Sequence, residues 1–152
     1  MNYWVFLHLI ICRLCIVINL LNDWEDYNMV ISKSENTNYL TKISNESTCL
    51  ETDVSIEKGG NGQSFRPHDL LCSALASCMN ITTRMVMDKL KITYEDVIVK
   101  VDLDRKSEST NFIYDINIIG DIPEKTKQEI IRLAENCPVR KTLSKELKFI
   151  RG

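Results

Sequence analysis

The chain opens on an almost unbroken apolar run, Tyr3 to Leu21, interrupted near its centre by Arg13 and followed by Asp23, Glu25 and Asp26. Nineteen residues are enough to cross a bilayer at about 1.5 Å rise each. Arg13 opposes insertion by about 2.5–3.5 kcal/mol. No positive leader region or small-residue cleavage site marks a secretory signal. After Met29 the pattern changes. Thr37 to Ile43 and Thr48 to Ile56 are rich in Thr, Ile and Val and predict two short strands joined at Ser44-Asn45-Glu46. Lys58 to Gln63, with three glycines, predicts a loop. Pro67 suits the first turn of a helix running to Leu90, with Leu71, Leu75, Cys78, Thr82 and Met85 on one stripe. Its first half, LLCSALASCM, is apolar or small nearly all round, as in a helix buried on most sides.

Beyond that helix, Val97 to Asp104 and Phe112 to Ile118 alternate apolar and polar residues, the mark of half-buried strands. The polar stretch Arg105 to Asn111 would join them as a hairpin. Pro123 precedes an amphipathic helix over Lys125 to Glu135, Cys137-Pro138-Val139 starts a second short helix, and Leu147 to Ile150 reads as a last strand. The elements add up to an α+β domain with no internal repeat.

Charge divides the chain at the same place as the pattern. The whole sequence of 152 residues carries a net charge of −2, all of it in residues 1–28, and residues 29–152 are neutral. Residues 29–152 are therefore read as the folded domain. Residues 1–28 are an N-terminal extension with three readings: an upstream segment assigned to the wrong start with translation beginning at Met29, a membrane anchor over residues 3–21, or a packed extra helix. A neutral domain has no global attraction for nucleic acid. The GxxG of Gly59 to Gly62 follows a strand-like segment rather than joining two helices, so it reads as a turn and not as a nucleic-acid clamp. No Lys-Ser/Thr follows it as in a P-loop. The histidines are His8 and His68, and the lone CxxC at Cys12 and Cys15 has no second pair, so no metal site is expected.

The remaining candidate chemistry is thiol chemistry. Cys49 and Cys72 read as surface or packing residues, and Cys78, on the apolar stripe, has packing as its simplest role. Cys137 stands where a helix N-cap would stand, with Pro138 next and Arg140 and Lys141 one turn on. Free N–H groups and the positive end of a helix dipole favour a thiolate there, so a reactive or disulfide-forming thiol and a structural one are equally good readings.

Three stretches together resemble the OsmC/Ohr family, the osmotically inducible and organic hydroperoxide resistance proteins. They are Gly59-Gly60-Asn61-Gly62 with Arg66-Pro67-His68-Asp69-Leu70-Leu71, then Ser73 to Thr82 around Ala76-Ser77-Cys78, then Leu133-Ala134-Glu135-Asn136-Cys137-Pro138-Val139-Arg140-Lys141-Thr142-Leu143. The likeness runs from about Met29 onward. It implies an OsmC-like fold in which antiparallel sheets wrap a long buried central helix within an intertwined homodimer, a cytoplasmic location, and no cofactor. It also implies that Cys78 attacks an organic hydroperoxide and becomes a sulfenic acid, that Cys137 resolves it to a disulfide, and that a small-molecule or protein thiol reductant reopens the pair.

The peroxidase subgroups lower the pKa of the reactive thiol with an arginine held by a Glu ten residues before it. Here that position is His68, followed by Asp69, and no Arg occurs between residues 14 and 65. His68, Asp69 and Lys42 are the candidate supporting residues. The alternative is a non-catalytic member that binds a small apolar or acyl ligand at the dimer interface. A third reading, a membrane-anchored redox protein, depends on residues 3–21 being a real anchor.

Overall fold

The computed structural model describes residues 29–152, and the extension 1–28, with all three of its readings, lies outside the described residues. The elements run β1 (Ile31–Ser34), β2 (Thr41–Ser44), β3 (Cys49–Thr52), a 3-10 turn (Ile56–Lys58), α1 (Pro67–Leu90), β4 (Asp96–Arg105), β5 (Thr110–Ile119), α2 (Glu124–Ala134) and α3 (Pro138–Leu143). They form the expected α+β domain, divided into two compact units. One comprises residues 29–74 with Val101–Ile113; the other comprises Leu75–Lys100 with Tyr114–Gly152.

In the first unit, β1, β2 and β3 form an antiparallel meander, with Ile31 opposite Ser44 and Thr41 opposite Thr52. The turn expected at Ser44-Asn45-Glu46 is held by the Asn45 carboxamide oxygen, which accepts from the backbone N–H groups of Ser47 and Thr48 at 3.1 and 2.8 Å. β1 was not anticipated, because all four of its residues are exposed and carry no apolar alternation. The strand expected from Thr37 begins only at Thr41: Tyr39 has φ +60°, and the Leu40 N–H returns to the Thr37 carbonyl, so residues 37–40 turn.

β3 ends at Thr52 because the next residue, buried Asp53, turns its carboxylate onto the glycine loop. It accepts from the N–H groups of Val54 (2.7 Å), Asn61 (2.7 Å) and Gly62 (3.1 Å). Those hydrogen bonds, Val54 first, hold Asp53 below the usual carboxylate range. A Cβ on Gly60 would run into Asp53 and Val54. The glycine run is thus the expected turn, and the structure adds that it folds around the Asp53 carboxylate.

The second unit holds most of the apolar core. From α1 it takes Leu75, Met79, Thr82, Thr83, Val86 and Met87; around them lie Val97, Ile116, Ile118, Ile122, Ile130 and Ala134. The expected stripe is therefore rotated. Leu71 and Met85 are exposed, at 46% and 40%, while Met79, Thr83, Val86 and Met87 are buried. The spacing of Leu71, Leu75, Cys78, Thr82 and Met85 identified the helix, but with apolar or small residues nearly all round its first half it did not fix which side faces the core. Thr83 is accommodated inside because its hydroxyl donates to the Met79 carbonyl at 2.8 Å.

β4 and β5 pair as the expected hairpin. Val97, Ile116 and Ile118 are buried and Asp96, Ile98, Asp115 and Asn117 exposed, so the alternation reads correctly. α2 falls within a residue of its expected limits, and α3 starts at Pro138, where a second helix was expected to start. The strand expected at Leu147 to Ile150 does not form. Phe149 and Ile150 are 97% and 88% exposed, and no neighbouring strand among the described residues offers the hydrogen bonds a strand requires.

Candidate active site

Cys137 caps α3. Its backbone is extended (φ −59°, ψ 148°), Pro138 fills the first helical position without wasting an N–H, and the Cys137 sulfur accepts from the Arg140 N–H at 3.5 Å. Its side chain is fully buried. Cys78, midway along α1 and partly exposed, reaches the same helix end: its sulfur accepts from the Val139 N–H at 3.5 Å. Two consecutive free N–H groups of α3 therefore serve two sulfurs, one each. Cys78 is too deep in its own helix to benefit from that helix's dipole, and it draws on the N-terminus of another.

The two thiols are hydrogen-bonded to one another, and the environment separates their ionisations. Cys78 is lowered to about 6, first by the hydrogen bond from the Cys137 thiol, then by the Val139 N–H and the Thr82 hydroxyl, against a desolvation cost. Cys137 is pushed well above the ordinary thiol range, first by donating to Cys78 and then by burial. A group with a pKa of about 6 is about nine-tenths ionised at pH 7. Thiolate on one residue and a protonated neighbour in contact with it is the arrangement that a nucleophile and a resolving thiol require.

A second layer fixes the α2–α3 junction. The Arg140 guanidinium donates to the Glu135 carbonyl at 2.8 Å, bridging back across Cys137. The Tyr114 hydroxyl donates to the Glu135 carboxylate at 3.0 Å, and Arg140 also bonds Tyr114. Burial, then Glu135, pushes the Tyr114 phenol up, so it remains a donor.

The structure brings Cys78 and Cys137 together. Among the described residues the hydrogen-bond partners of Cys78 are Cys137, Val139 and Thr82, and the three candidate supporting residues lie elsewhere. Asp69 holds the start of α1, accepting from the Arg66 N–H (2.9 Å) and from both Nε and Nη2 of its guanidinium (2.9 and 2.7 Å). His68 Nε2 accepts from Arg105 Nη1 at 3.1 Å. Lys42 is exposed on β2 opposite Glu51. His68, Asp69, Arg66 and Arg105 line a cavity of about 680 Å³ within the first unit.

Sequence reasoning missed Thr82 as a thiolate donor, although it stands four residues after Cys78 and hence on the same helix face. The Val139 N–H carries no side-chain signal at all.

The family model for OsmC-like protein matches residues 60–150, which includes both cysteines and the glycine loop from Gly60. The chain belongs to the OsmC-like protein family. Solved structures share the fold at low identity. The organic hydroperoxide resistance protein OsmC of Legionella pneumophila is 20% identical, with 79% of this chain and 92% of that chain covered and a TM-score of 0.58. The OsmC-like protein of Mycoplasma pneumoniae is 17% identical, over 78% and 88%, with a TM-score of 0.62. An OsmC-like protein of unknown function from Vibrio cholerae is 12% identical, over 80% and 96%, with a TM-score of 0.62. No curated protein matches the sequence. The helix α1 is long and apolar enough to cross a membrane, and its inner side, Leu75, Met79, Thr82, Thr83, Val86 and Met87, is buried in the domain.

Proposed function

We propose that this OsmC-like protein is a thiol-dependent reductase of organic hydroperoxides, with Cys78 as nucleophile and Cys137 as resolving thiol. The observation that carries the reading is the hydrogen-bonded pair itself, in which Cys78 is lowered to about 6 while its partner is held protonated. The Cys78 thiolate attacks the terminal peroxide oxygen. The S–O bond forms as the O–O bond breaks, leaving Cys78 as sulfenic acid and an alkoxide that takes up a proton and departs as the alcohol. The Cys137 sulfur then attacks the Cys78 sulfur, the hydroxyl leaves as water with the Cys137 proton, and a disulfide remains. Two equivalents of an external thiol return both cysteines to the reduced form and are themselves oxidised to a disulfide.

The working form in this proposal is a cytoplasmic homodimer. Ile81, Met85 and Ile98 stand 36–40% exposed in the unit that carries the thiols, an apolar surface of the kind a second copy covers. Residues 29–152 form the functional domain, and residues 1–28 are an addition to it.

A second reading is a ligand-binding member without turnover. It is favoured by the absence of a cationic side chain among the described residues that hydrogen-bond Cys78. The deciding experiment is thiol-coupled consumption of cumene hydroperoxide by wild type, Cys78→Ser and Cys137→Ser. Turnover in wild type, abolished by Cys78→Ser and stalled after one equivalent in Cys137→Ser, supports the peroxidase. No turnover in wild type supports the binder.

A further inference from the structure

Neither Cys78 nor Cys137 lines the cavity of about 680 Å³ in the first unit, and its lining is rich in charge for a chain whose residues 29–152 are neutral. Three cations, Lys58, Arg66 and Arg105, face it with two carboxylates, Asp69 and Asp102. These charges are unequally committed. Arg66 and Asp69 neutralise each other through a two-pronged ion pair at 2.7 and 2.9 Å. Lys58 and Arg105 form no ion pair among the described residues. Asp102 is tied to the backbone, accepting from the Leu103 N–H at 2.7 Å.

Arg105 is also oriented. A guanidinium has donors and no acceptor, so the 3.1 Å contact with His68 Nε2 requires the imidazole to accept. One N–H is used to fix the plane of the fork and the others remain for a ligand. Apolar side chains complete the lining: Val54, Pro67, Val101 and Leu103. Cys72 adds a neutral thiol, since burial and then Asp102 and Asp69 push its pKa up.

We propose that this cavity is a binding site for a small organic oxyanion, a carboxylate or phosphate ester with an apolar body, whose head group is held by Lys58 and Arg105 and whose body lies against Val54, Val101 and Leu103. The volume falls in the range of small-molecule sites, and an apolar lining with a few fixed polar groups is what such sites present. The head group would gain charge-assisted hydrogen bonds from a guanidinium already held in place by His68.

The test is calorimetric titration of the full chain with phenyl phosphate and with phenylacetate, and with the neutral 2-phenylethanol as control. Histidine ring NMR signals are followed in parallel, since His8 and His68 are the two histidines. The expected result is that at least one anion binds, that 2-phenylethanol binds about tenfold more weakly or not at all, and that the His68 signals move on binding. The preferred anion then identifies the head group. Arg105→Gln and, separately, Lys58→Gln should each weaken the bound anion by about tenfold while the thermal unfolding midpoint stays near wild type. Lys58 lies in an exposed turn, so its variant keeps the test valid if Arg105→Gln folds poorly. The proposal is overturned if neither anion binds, if the neutral alcohol binds as tightly as the anions, or if the folded variants bind like wild type.

Discussion

Replacing Cys137 with alanine removes the largest influence on the ionisation of Cys78. The thiol hydrogen bond from Cys137 is the first cause of the lowered pKa, while the opposing desolvation cost remains in the variant. A hydrogen bond to a charged group contributes about 1.5–3 kcal/mol, and one pKa unit corresponds to about 1.4 kcal/mol. Cys78 should therefore move from about 6 to about 7–8. At pH 7 its thiolate fraction would fall from about nine-tenths to between about a tenth and a half. The assay is the pH dependence of alkylation by iodoacetamide, in a background in which Cys12, Cys15, Cys49 and Cys72 are serine, so that Cys78 is the reactive thiol of the variant.

The same shift has a sign in stability. A thiol whose folded pKa lies below its unfolded value stabilises the fold fully above the unfolded value and loses that contribution as pH falls through about 6. Wild type in the same background should thus lose stability between about pH 8.5 and 6 more steeply than Cys137→Ala. An alkylation midpoint that stays near 6 in the variant would refute the reasoning and leave the helix N-terminus as the main influence.

Other consequences follow from named contacts. Thr82→Val keeps shape and removes the hydroxyl that bonds Cys78, so the alkylation midpoint should rise, and by less than in Cys137→Ala because the Cys137 thiol is the largest influence on Cys78 and the Thr82 hydroxyl the smallest. Arg140→Gln cuts the bridge to the Glu135 carbonyl; disulfide formation after a hydroperoxide pulse should slow about tenfold, while the first, sulfenate-forming step, read by dimedone trapping, stays near wild type. Gly60→Ala forces a methyl against Asp53 and Val54 and should destabilise the protein by about 1–3 kcal/mol in urea unfolding, with new proteolysis at residues 58–63.

Much of the fold was legible because its elements carry strong periodicity. The two long strands alternate cleanly, and Pro67, Pro123 and Pro138 sit at or next to helix starts. What failed was whatever depended on partners rather than pattern. β1 has no apolar face to read, and Leu147 to Ile150 has strand composition without a strand beside it. The rotation of α1 was hidden by its uniform apolarity.

At the site, the two cysteines were legible as a pair through the family motifs, whereas the means of lowering Cys78 was not. The sequence offers His68 and Lys42 as sources of positive charge, with acidic Asp69 beside His68, whereas among the described residues Cys78 is served by a backbone N–H of Val139, a thiol and a hydroxyl. Backbone donors have no letter in the sequence. Asp69, named for its place beside His68, caps the start of α1 through the Arg66 N–H.

The central claim is that Cys78 and Cys137 form a redox pair, and the most direct measurement is non-reducing peptide mapping by mass spectrometry after one equivalent of cumene hydroperoxide. The account requires the chain to lose two hydrogens and the peptides carrying Cys78 and Cys137 to be joined. Oxygen added to Cys78 with Cys137 still free, or a disulfide that engages Cys49 or Cys72 instead, would contradict it.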